Sequence, residues 1–186
     1  DGTVEFIKGN NEFTVNIALL ADNECVGSVL YVPYLKKMYV AAKGKGAYLI
    51  RNIAPCEEPK YEGKQIEAML EKLPLEGSCH EGFRVALSRS HQTPETHMRV
   101  NELRAEHPDL EVIEQGSSYK FCLLAEGVVD YYVRTTNTYE WDTAAGELIL
   151  SEAGGKTISY PDGKPLAYNK EDLKNPWFEA QGARCK

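Results

Sequence analysis

The first fifty residues alternate between apolar and polar side chains. Apolar residues recur at every second position from Phe13 to Leu19, and a period of two predicts a strand. Two further strands are predicted at 26–32 and 38–42, with turns at 22–23, 33 and 44–46. The pattern therefore predicts an antiparallel meander over residues 1–50, which forms the first sheet.

Beyond residue 82 the pattern alternates between strands and helices. Thr93-Pro94 is a typical helix start, because Thr caps a helix and Pro fits its first position. The remaining predicted elements are strand 83–87, strand 110–113, helix 117–126 ended by Gly127, strand 128–133, and helix 142–153 closed by Gly154-Gly155. This alternation predicts an α/β layer over 82–186, and the chain is predicted to be one domain over 1–186.

Residues 51–81 are the least regular part of the sequence. Ile66, Met69, Leu70 and Leu73 fit the spacing of a short amphipathic helix. Pro- and Glu-rich stretches flank this helix and predict loops. The simplest interpretation is a surface elaboration.

Length and composition exclude several classes of protein. With 186 residues, 42% of them hydrophobic, the chain is long enough for one globular domain with a core. No apolar run reaches the ~20 residues that cross a bilayer, and the start lacks the basic and apolar stretches of a signal peptide. The net charge of -7 argues against polymeric nucleic acid as a partner. Because no initiator Met is present, we expect a processed chain or part of a longer protein.

The cysteines indicate a reducing compartment. Their number is odd, their spacing is irregular, and no C-x-x-C occurs, which argues against a disulfide framework or a zinc site. The five are Cys25, Cys56, Cys79, Cys122 and Cys185. Cys79, His80 and His91 suggest a metal site only weakly, because the spacing of a zinc site is absent. We therefore expect free thiols and a cytoplasmic location.

Two acidic helix starts are candidates for a phosphate and metal site. Asp1-Gly2-Thr3 precedes a predicted helical turn, where backbone N–H groups bind phosphate and Gly2 allows close approach. Asp142 begins a helix whose next residues are small, which leaves room for a ligand. Each motif alone is more often a simple turn or cap. Two carboxylates beside substrate phosphate would suit Mg²⁺.

A cation stands in the first turn of the helix predicted at 117–126. Ser117 is the predicted N-cap, and Lys120 occupies the position where a capping box has Glu or Gln. A cation there opposes the helix dipole, so we expect a negative group nearby. The alternative is that Lys120 reaches solvent. Arg134, at the end of the next strand, is a second candidate for the same anion.

The Ser88-Arg89-Ser90-His91 segment follows a predicted strand. In α/β layers, ligands often bind outside strand ends, although a polar strand end is the default interpretation. By itself this segment carries little information.

In chain order, the motifs form a recognisable combination. DGTxEFI, EFTVNIAL, SRSH, GSSxKFCLxAEG and EWDTAAGxxIxxEAGG together resemble the inositol monophosphatase superfamily, and in detail its CysQ-type 3′(2′),5′-bisphosphate nucleotidase branch. The resemblance spans nearly the whole chain except 51–81. It implies a layered α-β-α-β-α sandwich of the fructose-1,6-bisphosphatase/inositol monophosphatase type, without the family's N-terminal helices.

The resemblance also implies roles for individual residues. Asp1 and Asp142 match ligands of two or three Mg²⁺ ions, with sensitivity to lithium. The amides of Gly2 and Thr3 match groups that hold the departing phosphate, and the Thr3 hydroxyl matches one that helps to orient and deprotonate the attacking water. The positions that hold the substrate and its second phosphate are matched by His91, Ser117, Lys120, Arg134 and Asp142. Glu140 is a candidate for contact with the substrate or with the groups around it.

The implied activity is Mg²⁺-dependent hydrolysis of 3′-phosphoadenosine 5′-phosphate to AMP and phosphate, which clears a by-product of sulfate assimilation. Two alternatives stay open: an inositol or sugar-phosphate monophosphatase of the same superfamily, and a non-catalytic phosphate-binding fragment. The family's residues before Asp1, which include further metal ligands, are absent from the sequence. We therefore expect weak metal binding, low activity and exposed apolar surface, unless that segment is present as a separate chain. A homodimer and peripheral association with the inner membrane are also compatible with the resemblance.

Overall fold

The computed structural model describes residues 1–55, 63–78 and 80–183. The helices are α1 (Thr3–Lys8), α2 (Lys64–Glu67), α3 (Pro94–Glu106), α4 (Tyr119–Glu126) and α5 (Glu140–Glu152). The strands are β1 (Val15–Ala21), β2 (Glu24–Val32), β3 (Lys37–Ala42), β4 (Gly46–Ile50), β5 (Glu71–Lys72), β6 (Arg84–Ser88), β7 (Glu111–Gln115), β8 (Tyr131–Arg134), β9 (Lys156–Ser159) and β10 (Phe178–Gln181). None of the helices in these ranges is long and apolar enough to cross a membrane.

The first sheet has the order β1-β2-β3-β4-β5, and every neighbouring pair is antiparallel. The three strands predicted for the meander are confirmed as β1, β2 and β3, while β4 was not predicted. The helix predicted from Ile66 to Leu73 is shorter than expected, because α2 ends at Glu67. Leu73 instead follows β5 and is buried in the core, where its N–H donates to the carbonyl of Ala47.

The two faces of the first sheet differ in their surroundings. Leu30, Tyr39 and Leu49 on one face are fully buried in the main core. On the exposed side of β1, Val15, Ile17 and Leu19 are 48%, 61% and 65% exposed. The expected exposed apolar surface is therefore present on β1.

The second sheet has the order β7-β6-β8-β10-β9. β6 is parallel to β7 and β8, whereas β10 is antiparallel to β8 and β9. The predicted strands at 83–87 and 110–113 are confirmed as β6 and β7, and the one at 128–133 begins later than expected, at Tyr131. β9 and β10 were not predicted.

Helices α4 and α5 lie between the two sheets. Their apolar residues, such as Phe121 and Ile149, belong to one buried cluster with Leu30 of the first sheet and Phe178 of the second. Helix α3 covers the opposite face of the second sheet through a separate cluster that includes Val100. Its start agrees with the prediction, because Thr93 is the N-cap and its Oγ1 accepts the N–H of Thr96 at 3.2 Å. The layered α/β sandwich expected from the sequence is confirmed.

The prediction of free thiols can be compared with the structure for two of the five cysteines. Cys25 and Cys122 are buried and free, as expected. Cys56, Cys79 and Cys185 lie outside the described residues, so the weak suggestion of a metal site with Cys79 stays untested.

Candidate active site

One cavity collects the candidate residues from distant parts of the sequence. Its volume is about 530 Å³, and it lies where the starts of α1, α4 and α5 meet the ends of β6 and β8. Eight of the nine residues to which the resemblance gave roles line it, and Glu140 is the exception: Asp1, Gly2, Thr3, His91, Ser117, Lys120, Arg134 and Asp142. The carboxylates of Asp1 and Asp142 therefore belong to the same cavity.

The turn at Asp1 is held against the start of α4. Oδ2 of Asp1 accepts the N–H of Ser118 at 2.6 Å, and its carbonyl accepts the N–H of Thr14 at 2.9 Å. Gly2 has a φ of 89°, a left-handed conformation that favours glycine. A Cβ at Gly2 would also lie 3.0 Å from the Cα of Phe13. The close approach of these chain segments explains why a glycine stands here.

Helix α4 begins later than the sequence predicts. Its N-cap is Ser118, so the prediction that Ser117 caps the helix is wrong. The backbone at Ser117 is left-handed, with a φ of 54°, which places this residue outside the helix. The Ser118 side chain caps nothing; instead its Oγ lies 2.7 Å from Oγ1 of Thr14 and donates to Oδ1 of Asn16 at 2.8 Å.

Lys120 is a buried cation, and the alternative that it reaches solvent is wrong. Its side chain is fully enclosed, at 1% exposure, and Nζ donates to the carbonyls of Gln115 at 2.9 Å and Ser117 at 2.7 Å. Nζ also lies 5.0 Å from the centre of the Tyr132 ring. Burial, together with the charge of Arg134, lowers the pKa of Lys120 to about 7.

Negative groups near Lys120 partly oppose this effect. The charges of Glu5 and Glu12 raise the pKa of Lys120, so the expected compensating charge is present. Glu12 is also fixed in place, because its Oε2 accepts the N–H of Gly116 at 2.7 Å and its Oε1 pairs with Nη2 of Arg89 at 2.8 Å.

Arg134 and His91 complete the cationic end of the cavity. Nε of Arg134 is buried without a hydrogen-bond partner among the described residues. Burial and the charge of Arg134 both lower the pKa of His91. Together with Lys120, Arg134 brings a second basic side chain to this end of the cavity, and its buried Nε is an N–H group that an anion could satisfy.

Asp142 caps helix α5 while facing the cavity. The helix begins at Glu140, two residues before the predicted start, and its N-cap is Tyr139. Oδ2 of Asp142 accepts the N–H of Tyr139 at 2.8 Å. The capping interpretation and the functional one are therefore compatible, because the cap uses only one carboxylate oxygen.

Glu140 anchors a neighbouring segment to the start of α5. It does not line the cavity. Its buried carboxylate accepts N–H groups of Asn169 at 2.6 Å and Lys170 at 3.1 Å, and pairs with Nζ of Lys170 at 2.5 Å. Glu140 therefore fastens the 169–170 segment to the start of α5, next to the cavity-lining Trp141 and Asp142, and its contact with the substrate or with the groups around it stays a prediction.

The sequence did not point to several further cavity residues, among them Glu5, Asn16 and Trp141. Buried Glu5 accepts the hydroxyl of Ser90 at 2.9 Å, and its place as the acidic residue in the first turn of α1 could have indicated it. Asn16 is the polar residue within an apolar strand, and its Nδ2 donates to the carbonyl of Trp141 at 3.4 Å. Trp141 also lines the cavity, but the sequence indicated no role for it beyond its place in a motif.

The residues present fit a partial magnesium site. Among the hydrogen bonds of the described residues, Asp1 and Asp142 each use only Oδ2, which leaves Oδ1 of both for a cation. Within the same residues, no group of three or more His, Cys, Asp or Glu side chains is arranged to hold a metal. Mg²⁺ commonly takes one or two carboxylates and completes its shell with water and phosphate oxygens. The donor set agrees with that mode of binding.

Comparison with known proteins agrees with this architecture. A model of the inositol monophosphatase family matches residues 1–180. The 3′(2′),5′-bisphosphate nucleotidase CysQ of Salmonella typhimurium is 41% identical over 179 residues, which are 96% of this chain and 63% of that protein. The crystal structure of CysQ from Bacteroides thetaiotaomicron superposes with a TM-score of 0.92 at 45% identity, over 100% of this chain and 68% of that one. An inositol monophosphatase from Zymomonas mobilis shares the fold, with a TM-score of 0.69 at 22% identity over 98% of this chain and 62% of that one.

Proposed function

Because the chain belongs to the inositol monophosphatase family, we propose that its protein is a Mg²⁺-dependent phosphomonoesterase that hydrolyses 3′-phosphoadenosine 5′-phosphate to AMP and phosphate. The chain spans 63% of the length of the curated Salmonella relative, so this activity is proposed for the whole protein. The observation that carries the proposal is the cavity, where two carboxylates and two cations lie together.

In this proposal Asp1 and Asp142 hold the metal, each through the oxygen that the backbone does not use. When bound, magnesium polarises the phosphoryl oxygens, positions the attacking water and lowers its pKa. The backbone of Gly2 and Thr3 lies against the phosphate that leaves. The Thr3 hydroxyl, which lines the same cavity, orients the water and helps to accept its proton. These groups contribute by positioning and by charge.

The cationic end supports a substrate with two phosphates. Lys120 and Arg134 are where we propose that the second phosphate binds, with Ser117 and His91 beside it. An inositol monophosphate would leave the buried Nε of Arg134 without a partner, and that favours a bisphosphate nucleotide over the inositol or sugar-phosphate alternative. The polar lining and the two carboxylates favour an enzyme over a non-catalytic phosphate-binding fragment.

Further expectations rest on the same proposal. They are inhibition by lithium, a role in clearing a by-product of sulfate assimilation, and a cytoplasmic location with or without peripheral contact with the inner membrane. A homodimer, and a complementing N-terminal segment supplied as a separate chain, remain predictions about its partners.

The proposal is tested by Lys120→Ala against a substrate panel. The panel holds the bisphosphate nucleotide, inositol monophosphate and fructose bisphosphate, and the control is Lys156→Ala, which changes an exposed lysine of β9. We expect the KM for the bisphosphate nucleotide to rise roughly 10- to 150-fold, the usual cost of losing a hydrogen bond to a charged group. Inositol monophosphate turnover should change little. An equal loss for both substrates would contradict the assignment of Lys120, and turnover of none of the panel would favour the non-catalytic alternative.

A further inference from the structure

Two aromatic rings stand beside the cavity with much of their surface in solvent. Tyr139 and Trp141 stack with 4.8 Å between ring centroids and 8° between ring planes. They are 43% and 58% exposed. Trp141 lines the cavity and Tyr139 does not. The tyrosine therefore backs the tryptophan, and Trp141 is the ring of the pair that meets the cavity.

The backbone that carries this pair is fixed from several sides. The N–H of Tyr139 is held by Asp142, and its carbonyl accepts Nδ2 of Asn175 at 2.8 Å. The carbonyl of Trp141 accepts Nδ2 of Asn16. Buried Glu140, between the two aromatic residues, is anchored to the 169–170 segment. An exposed ring on a fixed backbone is preorganised to bind a flat partner, because little ordering remains to be done on binding.

We propose that Trp141, backed by Tyr139, is a stacking platform for the nucleobase of a nucleotide whose phosphate groups lie in the adjacent cavity. The inference deepens the proposed function and rests on it. Trp141 directly precedes Asp142 in the chain, so a ligand that spans both would have its phosphate near the carboxylate and its base at the rim. Aromatic rings bind any base through its face. Stacking on Trp141 would therefore not distinguish one nucleobase from another, and specificity for one base would need other contacts.

The experiment uses the fact that the sequence has two tryptophans. The other, Trp177, does not line the cavity, so Trp177→Phe leaves Trp141 as the only tryptophan and serves as the matched control. This variant is titrated with AMP in the presence of Mg²⁺, while its fluorescence is followed. We expect quenching that saturates, and an affinity equal to that of the unmodified protein by calorimetry.

The decisive comparison is Trp141→Leu, measured by calorimetry with AMP and with ribose 5-phosphate, which lacks the base. We expect roughly 5- to 150-fold weaker binding of AMP, as for loss of one stacked base, and unchanged binding of ribose 5-phosphate. Tyr139→Leu should give a smaller loss with the same selectivity, and it covers the case in which Trp141→Leu folds poorly. Equal losses for both ligands, or no loss for AMP, would overturn the proposal.

Failure of the proposed function would look different. If the unmodified protein binds neither AMP nor ribose 5-phosphate, the platform is overturned too, and a titration with inorganic phosphate then reports whether the cavity binds phosphate at all. If both ligands bind equally well to every variant, the phosphate site stands and only the nucleobase platform fails.

Discussion

The buried charge of Lys120 predicts how binding of a second phosphate depends on pH. In the free protein, burial and Arg134 bring the pKa of Lys120 to about 7. Above that pH the lysine becomes neutral. Binding of the second phosphate then requires Lys120 to take up a proton, and this costs free energy. Phosphate loses its second proton near pH 6, so the ligand itself changes little above pH 7. Affinity for the second phosphate is therefore expected to fall as the pH rises.

Other titrating side chains of the cavity do not mimic this effect. The pKa of His91 lies below its ordinary value of 6.5, so its ring is already neutral above pH 7. Burial raises the pKa of Tyr132 to about 12, so it keeps its proton up to pH 9. With a pKa of about 7, roughly one Lys120 in a hundred carries its proton at pH 9, which predicts up to about a 100-fold loss of affinity between pH 6.5 and pH 9.

The assay compares adenosine 3′,5′-bisphosphate with adenosine 3′-monophosphate by calorimetry, at constant ionic strength and without Mg²⁺, so that neither ligand is hydrolysed. The ratio of the two affinities isolates the second phosphate, because the rest of each ligand is the same. Lys120→Arg is the matched variant, since a guanidinium keeps its charge at pH 9. The ratio should fall in the unmodified protein and stay nearly constant in the variant. A constant ratio in the unmodified protein, or an equal fall in both, would refute the reasoning.

Two further predictions concern stability. Burial raises the pKa of Glu147 from its ordinary value of 4.5 to about 7, so the folded state loses stability as the pH rises from 4.5 to 7. Glu147→Gln should then stabilise the protein by at most about 3 kcal/mol at pH 8 and by little at pH 4.5 in urea unfolding; an equal effect at both pH values would contradict it. Gly2→Ala should cost about 1–3 kcal/mol through its positive φ and the contact with Phe13. Gly9→Ala, with a positive φ but open space around it, controls for backbone strain alone and should cost less; equal costs would mean that the contact is harmless.

The elements that the sequence predicted well are those with a local signal. The alternation from Phe13 to Leu19 and the Thr93-Pro94 cap each identified an element that the structure contains. Strand β10 has no such signal, because Phe178 to Gln181 follows a long irregular stretch and pairs with strands far away in the sequence. Its position depends on tertiary pairing, which periodicity does not report.

The candidate site, like the fold, was predicted only in part from the sequence. The motifs contained the predicted site residues except Arg134, but they did not separate residues that face the cavity from neighbours that do not. Glu140 and Trp141 are adjacent in one motif, yet Glu140 is paired with Lys170 and does not line the cavity, whereas Trp141 does. Only the fold determines which of two adjacent side chains meets a ligand.

The segment before α4 connects the two ends of the cavity at which we propose that the metal and the second phosphate bind. Charged side chains from three parts of the chain hold its backbone: Arg89 donates to the carbonyl of Glu114 at 2.8 Å, Glu12 accepts from Gly116, and Asp1 accepts from Ser118. Lys120 reaches back to the carbonyls of Gln115 and Ser117. The same carboxylate that we propose as a metal ligand therefore also fixes the segment that positions the buried lysine. Loss of the Asp1 carboxylate should disturb the anion end as well as the metal end, because one hydrogen bond links them.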